Sequence, residues 1–164
     1  MSYETLIEKI DTLISYSELH KAVQDYLNSP PQSNRMLCFQ YNTCIKKVVT
    51  YDFSKVTSMT STFNGCTNLE IVKINARSAT SYGSCFRGCN ALHTVIVEKN
   101  SICATISITS PLLSAESVNN IIAGLFDNRG TNVQRSVTFD SAIAANLTQE
   151  QMDIITVQKG WTIG

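Results

Sequence analysis

The sequence predicts an α/β fold: a short solenoid of three to four coils of about 23 residues, each adding one strand to a parallel sheet. Three observations carry this expectation. The chain writes nearly the same line twice, as "STFNGCTNLEIVKI" from Ser61 and as "SCFRGCNALHTVIV" from Ser84. Each copy ends in a short β-branched run bounded by polar turns, which is the signature of a strand. The segments on either side have helical patterning, and a stack of coils needs its two open ends covered.

Aligning Val56–Ile74 with Ala79–Val97 makes eight of nineteen positions identical, Phe63/Phe86, Gly65/Gly88, Cys66/Cys89, Leu69/Leu92 and Val72/Val95 among them. Self-similarity at a period of roughly 20–30 residues marks a leucine-rich-repeat-like architecture. A weaker copy lies upstream, where Phe39, Ile45 and Val48 precede Phe63, Leu69 and Val72 by 24 residues. A fading fourth coil is expected from Ile102, Thr105, Ile106 and Ile108. Leu69, Val72 and Ile74 should point inward from stacked strands. Phe63 and Phe86 should fill the coil from the returning segment. "NGC" and "RGC" place Gly where a left-handed turn needs it. Cys66 and Cys89 then fit a tight buried spot after the turn.

Three regions follow: an N-terminal helical segment (1–31), the repeat region (32–110) and a C-terminal α/β cap (111–164). Leu6, Ile7, Ile10, Leu13 and Ile14 form one helical stripe. Ser17 caps a second helix, with Leu19, Ala22, Val23, Tyr26 and Leu27 inward. "NSPPQSN" breaks the chain. These helices either cap the first coil or serve as a docking and oligomerisation device. In the C-terminal region Ser114 caps a helix with Val118, Ile121, Ile122, Leu125 and Phe126 on one face. "SVTFD" is a strand. Thr148 and Gln151 form a capping box for a helix ended by Gly160, and "WTI" is a last strand. Trp161 should plug this cap, its N–H finding a partner.

Composition narrows the function. Thirteen basic and thirteen acidic residues cancel, so no electrostatic footprint for nucleic acid or anionic lipid exists. No apolar run approaches a bilayer span, so membrane insertion is not expected. The N-terminus "MSYETLIEKIDTLISYSELH" has no positive stretch before an apolar core, so no secretory signal is expected. The six cysteines, Cys38, Cys44, Cys66, Cys85, Cys89 and Cys103, read as free and mostly buried thiols.

Chemistry-bearing constellations are sparse. Cys85, Cys89 and His93 have a spacing that would align on a helix, the best metal candidate here. The repeat undercuts it: Cys89 has a structural twin in Cys66, and Cys85 and His93 pair with Thr62 and Glu70. A Cys–His nucleophile from Cys89 and His93 lacks an orienting third group. His20 reads as a surface residue, and the Asn146 sequon matters only in an exported, glycosylated protein. No metal, cofactor or catalytic residue is expected.

"DFSKVTSMTSTFNGCTNLEIVKI" resembles the bacterial surface leucine-rich-repeat group called BspA-like, whose repeats run "F-S-x-V-T-x-M-x-x-x-F-x-x-C-x-x-L-x-x-V-x-I". The resemblance covers residues 39–109, with Tyr82 where that group often has Met. The segment Pro111–Ile163, with "PLL", "LTQEQ" and "KGW", is similar to the closing segment of leucine-rich-repeat proteins of gut bacteria and their phages. The resemblance implies a non-enzymatic structural or protein-recognition module. Its first expectation is a bacteriophage virion component (tail, fibre or capsid accessory protein). The alternative is a gut-bacterial surface or adhesion protein that binds host or bacterial ligands. Expected partners are proteins, either other virion proteins or a cell-surface receptor, with a homo-oligomer through the N-terminal helices as a further option. Candidate binding residues are Glu70, Lys73, His93 and Thr94 on the strand face and Asn64, Asn68, Arg87 and Asn90 on the turn face.

Overall fold

Phe39, Phe63 and Phe86 stack ring on ring, with centroids 5.3 and 5.4 Å apart and interplanar angles of 9° and 16°. This column runs through three repeats of a computed structural model that describes Lys21 and residues 39–164. Apart from Lys21, the helices expected over residues 2–29 lie outside the described residues, as does Cys38.

Three strands run parallel in sequence order: β1 (Lys47–Val48), β2 (Ile71–Ile74) and β3 (Thr94–Val97). Lys47 pairs with Ile71 and Ile71 with Thr94, so each repeat advances the sheet by one strand. The strands are shorter than "LEIVKI" suggests: Leu69 and Glu70, and likewise Leu92 and His93, lie ahead of them. Val48, Leu69, Val72, Ile74, Leu92 and Val95 are all buried.

On the returning side, consecutive turns are joined from one repeat to the next by backbone hydrogen bonds. Phe39 and Tyr41 N–H donate to the Thr62 and Asn64 carbonyls at 3.2 and 2.7 Å. Met59, Ser61, Phe63 and Gly65 donate in turn to Ser81, Gly83, Cys85 and Arg87, at 2.8 to 3.0 Å. The left-handed positions recur with the same period: Ser61 and Ser84 have φ of 55° and 54°, Gly65 and Gly88 of 75° and 76°.

The fourth coil departs from expectation. Ile102, Ile106 and Ile108 are buried, but Thr105 is exposed. β4 (Ile106–Ile108) does not extend the first sheet; it opens a second parallel sheet with β5 (Ser136–Phe139) and β6 (Thr162–Ile163). The reason lies in helix α1 (Ala115–Gly124), which occupies the edge of β3. The buried Ser117 hydroxyl accepts from Val95 N–H at 2.9 Å and donates to the His93 carbonyl at 2.9 Å. A serine side chain thus satisfies the edge groups that a fourth strand would have taken.

α1 is capped as the sequence suggests, with Ser114 accepting from Ser117 N–H. It ends one residue before Leu125, which leaves Phe126 outside the helix and 39 % exposed rather than inward. The single helix expected after Thr148 is instead α3 (Gln149–Asp153) followed by a π-helical turn (Ile154–Gln158), behind a short α2 (Ser141–Ala145). The Thr148–Gln151 capping box is present. Trp161 is buried and its Nε1 donates to the Phe126 carbonyl at 2.8 Å.

Gly124 shows how closely α1 lies on β3: a methyl group there would overlap the Val97 side chain. Gly124→Ala should therefore cost about 2–3 kcal/mol through overpacking. Gly130→Ala faces open space and carries only the left-handed backbone cost of about 1–2 kcal/mol. Urea denaturation of both variants checks this order; an equal or reversed pair of losses contradicts the close helix–sheet contact.

Candidate functional site

The outward groups fall into two sets, one along the strands and one along the turns. On the strand strip, the register places Lys47 beside Ile71 and Thr94, and Lys73 beside Ile96. Ile96 is 40 % exposed. Glu70 and His93, expected on strands, precede them and are half-buried, as is Thr94. His93 Nδ1 lies 2.8 Å from Thr94 Oγ1, and its carbonyl is bound by Ser117 and by Ser114 N–H. Charges on this strip are largely answered locally. Glu70 pairs with Lys46 at 3.5 Å, and Glu98 sits between Lys73 at 3.8 Å and Arg77 at 2.9 Å. Such exposed pairs add little stability, but they leave the strip nearly neutral.

The turn strip carries Asn64, Asn68, Arg87 and Asn90. Asn68, Arg87 and Asn90 are exposed and Asn64 is half-buried. Asn68 is already used, its Nδ2 donating to the Thr43 carbonyl at 2.8 Å. The other three contribute backbone to the turns: the Asn64 carbonyl takes Tyr41 N–H, the Arg87 carbonyl takes Gly65 N–H, and the Asn90 carbonyl takes the Ser110 hydroxyl. The structure thus places Glu70, Lys73, His93 and Thr94 on or just ahead of the strands, and Asn64, Asn68, Arg87 and Asn90 in the turns or just after them.

Tyr41 was not among the expected residues. It occupies the place of Gly65 and Gly88, with φ of 58°, and is 69 % exposed. A large side chain in the left-handed region is strained, and such strain gathers at binding surfaces. Its ring lies against Gly65, where a methyl group would overlap it. The 24-residue offset that aligned Phe39 with Phe63 also aligns Tyr41 with Gly65, and that was the available signal. Ile71 and Ile96 were hidden by the assumption that outward strand residues are polar.

The cysteines are locked rather than poised. Cys66 Sγ donates to the Phe39 carbonyl at 2.8 Å, and Cys89 Sγ to the Phe63 carbonyl at 3.0 Å. Each thiol thus bonds the phenylalanine one repeat upstream. Burial pushes the Cys66 thiol up to about 11, Cys89 up to about 12, and Cys85 upward as well. A buried protonated thiol is a poor nucleophile and a poor metal ligand. Of the described cysteines, Cys66, Cys85 and Cys89 are buried, Cys103 is half-buried and Cys44 is exposed. All five described cysteines are free, and the described residues hold no group of three metal-ligating side chains. No described helix is long and apolar enough to cross a membrane.

Comparison with protein-family models, with curated proteins and with solved structures gave no match.

The thiols give a test with a definite sign. Their folded pKa values lie above the ordinary value of 9.0, so the folded state keeps protons that the unfolded state loses. Their contribution is intact below pH 9 and falls as pH rises from about 9 to about 12. At pH 8, an aromatic disulfide reagent should modify Cys44 rapidly and spare Cys66, Cys85 and Cys89 until denaturant is added. Rapid native labelling of Cys66 or Cys89 contradicts the thiol–carbonyl ladder.

Proposed function

We propose that this chain is a short leucine-rich-repeat-like solenoid of the BspA-like kind and serves as a non-enzymatic structural and protein-recognition module. The observation that supports this reading is the division of labour within each repeat. Inward side chains, the phenylalanine column and the thiols are consumed by packing. Outward ones recur at repeat spacing as a nearly neutral ladder of polar and apolar groups. Such ladders suit extended protein partners. The eight candidate residues, with Ile71, Ile96 and Tyr41, are the groups we propose for partner contact. The module binds no cofactor and does no chemistry of its own.

Within that class the reading is a bacteriophage virion component, a tail, fibre or capsid accessory protein assembled in the host cytoplasm. Its support is the resemblance of Pro111–Ile163 to the closing segment of gut-phage repeat proteins. A second reading, a gut-bacterial surface protein, draws on Tyr41: an exposed aromatic ring held in a strained backbone suits ligand recognition.

Virion parts work as assemblies, so the purified full-length chain should show a discrete oligomer by light scattering, stable on dilution. The N-terminal helices read equally as a cap for the first coil; on the virion reading they are the assembly device, and removing residues 1–29 should yield a soluble smaller species. A full-length chain that stays monomeric at all concentrations contradicts the virion reading and favours the surface protein.

A further inference from the structure

A cleft of about 540 Å³ opens between the last repeat and the second sheet. Residues 77–83 of the repeat line it, with residues 103–105 ahead of β4 and 133–135 ahead of β5. The whole chain is electrically balanced, with thirteen basic and thirteen acidic residues. The cleft is not: Arg77 and Arg135 line it and no Asp or Glu among the described residues does.

Arg135 is fixed from two sides. Its Nε donates to the Cys103 carbonyl at 2.8 Å, and its Nη1 donates to Asn128 Oδ1. Asn128 is buried and held in turn, its Nδ2 donating to the Val133 and Gly160 carbonyls at 2.8 and 3.1 Å. Among the described residues, Arg135 thus meets neutral acceptors and no carboxylate, and its Nη2 has no acceptor. A half-buried guanidinium that lacks a counter-charge is poorly compensated for its lost hydration.

Arg77 adds to this excess. Its Nη2 pairs with Glu98 at 2.9 Å, but Glu98 also serves Lys73 at 3.8 Å, so one carboxylate answers two cations. Both guanidiniums reach the Cys103 thiol, which lines the same cleft: burial raises its pKa, while Arg135 and Arg77 each pull it down. Thr105 supplies a further donor. Its Oγ1 accepts Ser136 N–H at 3.1 Å, which leaves the hydroxyl proton to be given.

We propose that this cleft binds a small polar molecule through a tetrahedral oxyanion, a phosphate or sulfate group, held between Arg135 and Arg77. A planar carboxylate pairs best with the two-pronged edge of one guanidinium. At Arg135 that edge is broken up, since Nε and Nη1 are spent on Cys103 and Asn128. A tetrahedral group points its oxygens several ways, so it can take Nη2 of Arg135, the remaining N–H groups of Arg77 and the Thr105 hydroxyl together. The cleft exceeds one such group in size, and Ser81 and Gln134 on its wall suit a polar body behind the anion. This site is separate from the strand and turn residues offered for partner contact, and it does not rest on that reading.

The test follows alkylation of Cys103 by neutral iodoacetamide in the full-length protein at pH 8, read by mass spectrometry on the peptide that carries it. Inorganic phosphate, inorganic sulfate and acetate are compared at constant ionic strength. Phosphate or sulfate should slow Cys103 several-fold and saturably while Cys44 keeps its rate, and acetate should slow neither. Arg135→Gln and Arg77→Gln should each raise the half-saturating concentration by about tenfold or more. Arg77 is exposed, so its variant keeps the fold and decides the matter even where Arg135→Gln unsettles the loop. Absence of saturable protection, equal protection by acetate, or protection unchanged in Arg77→Gln overturns the proposal.

Discussion

Buried backbone amides need acceptors, and alternate amides of the turns, those of Phe39, Tyr41, Met59, Ser61, Phe63 and Gly65, find them one repeat away. That requirement ties every other feature to a period of 23 or 24 residues. The phenylalanine rings stack because their backbones are hydrogen-bonded in register. Strands β1 to β3 align because the returning turns have already fixed the offset. Cys66 and Cys89 follow the same rule with a side chain, each thiol taking the carbonyl of the phenylalanine in the repeat before it. A thiol is small enough to fit and still polar enough to donate, which explains its place after each glycine turn.

Keeping this register has local costs. Ser61 and Ser84 adopt left-handed backbones that glycine would take with less strain, and Tyr41 does so with a full aromatic ring. The register ends where the sequence stops supplying it. After β3, Ser117 replaces a strand as the partner of Val95 and His93, and the chain turns into α1. The second sheet, β4-β5-β6, then closes around Ile106, Val137, Phe139 and Trp161, all buried. The proposed recognition function rests on what this leaves outside: the side chains along the strands and along the turns.

Much of the repeat was legible because its signals are local and periodic. The identity of Phe63 with Phe86 and of Gly65 with Gly88 reports a shared backbone path, so inward and turn positions could be assigned from spacing alone. Capping was legible for a similar reason, since Ser114 and Thr148 act within one helical turn. The fate of β4 was not. Whether Ile106 extends the first sheet depends on a hydroxyl eleven residues further on, and no periodicity encodes that. The candidate surface was legible as faces but not in its details: the half-burial of His93 follows from α1 docking, and the ion pairs of Glu98 from loop geometry.

The central claim is that the phenylalanine column and its hydrogen-bonded turns hold the repeats together as one cooperative unit. Phe63 stands in the middle of that column, between Phe39 and Phe86, with no exposed surface. Guanidinium denaturation of Phe63→Ala, followed both by far-ultraviolet circular dichroism and by Trp161 fluorescence, tests it directly. The account predicts a loss of about 3–5 kcal/mol, with the two probes still reporting one transition. A loss below about 1 kcal/mol, or a Trp161 transition unmoved by the substitution, would contradict it.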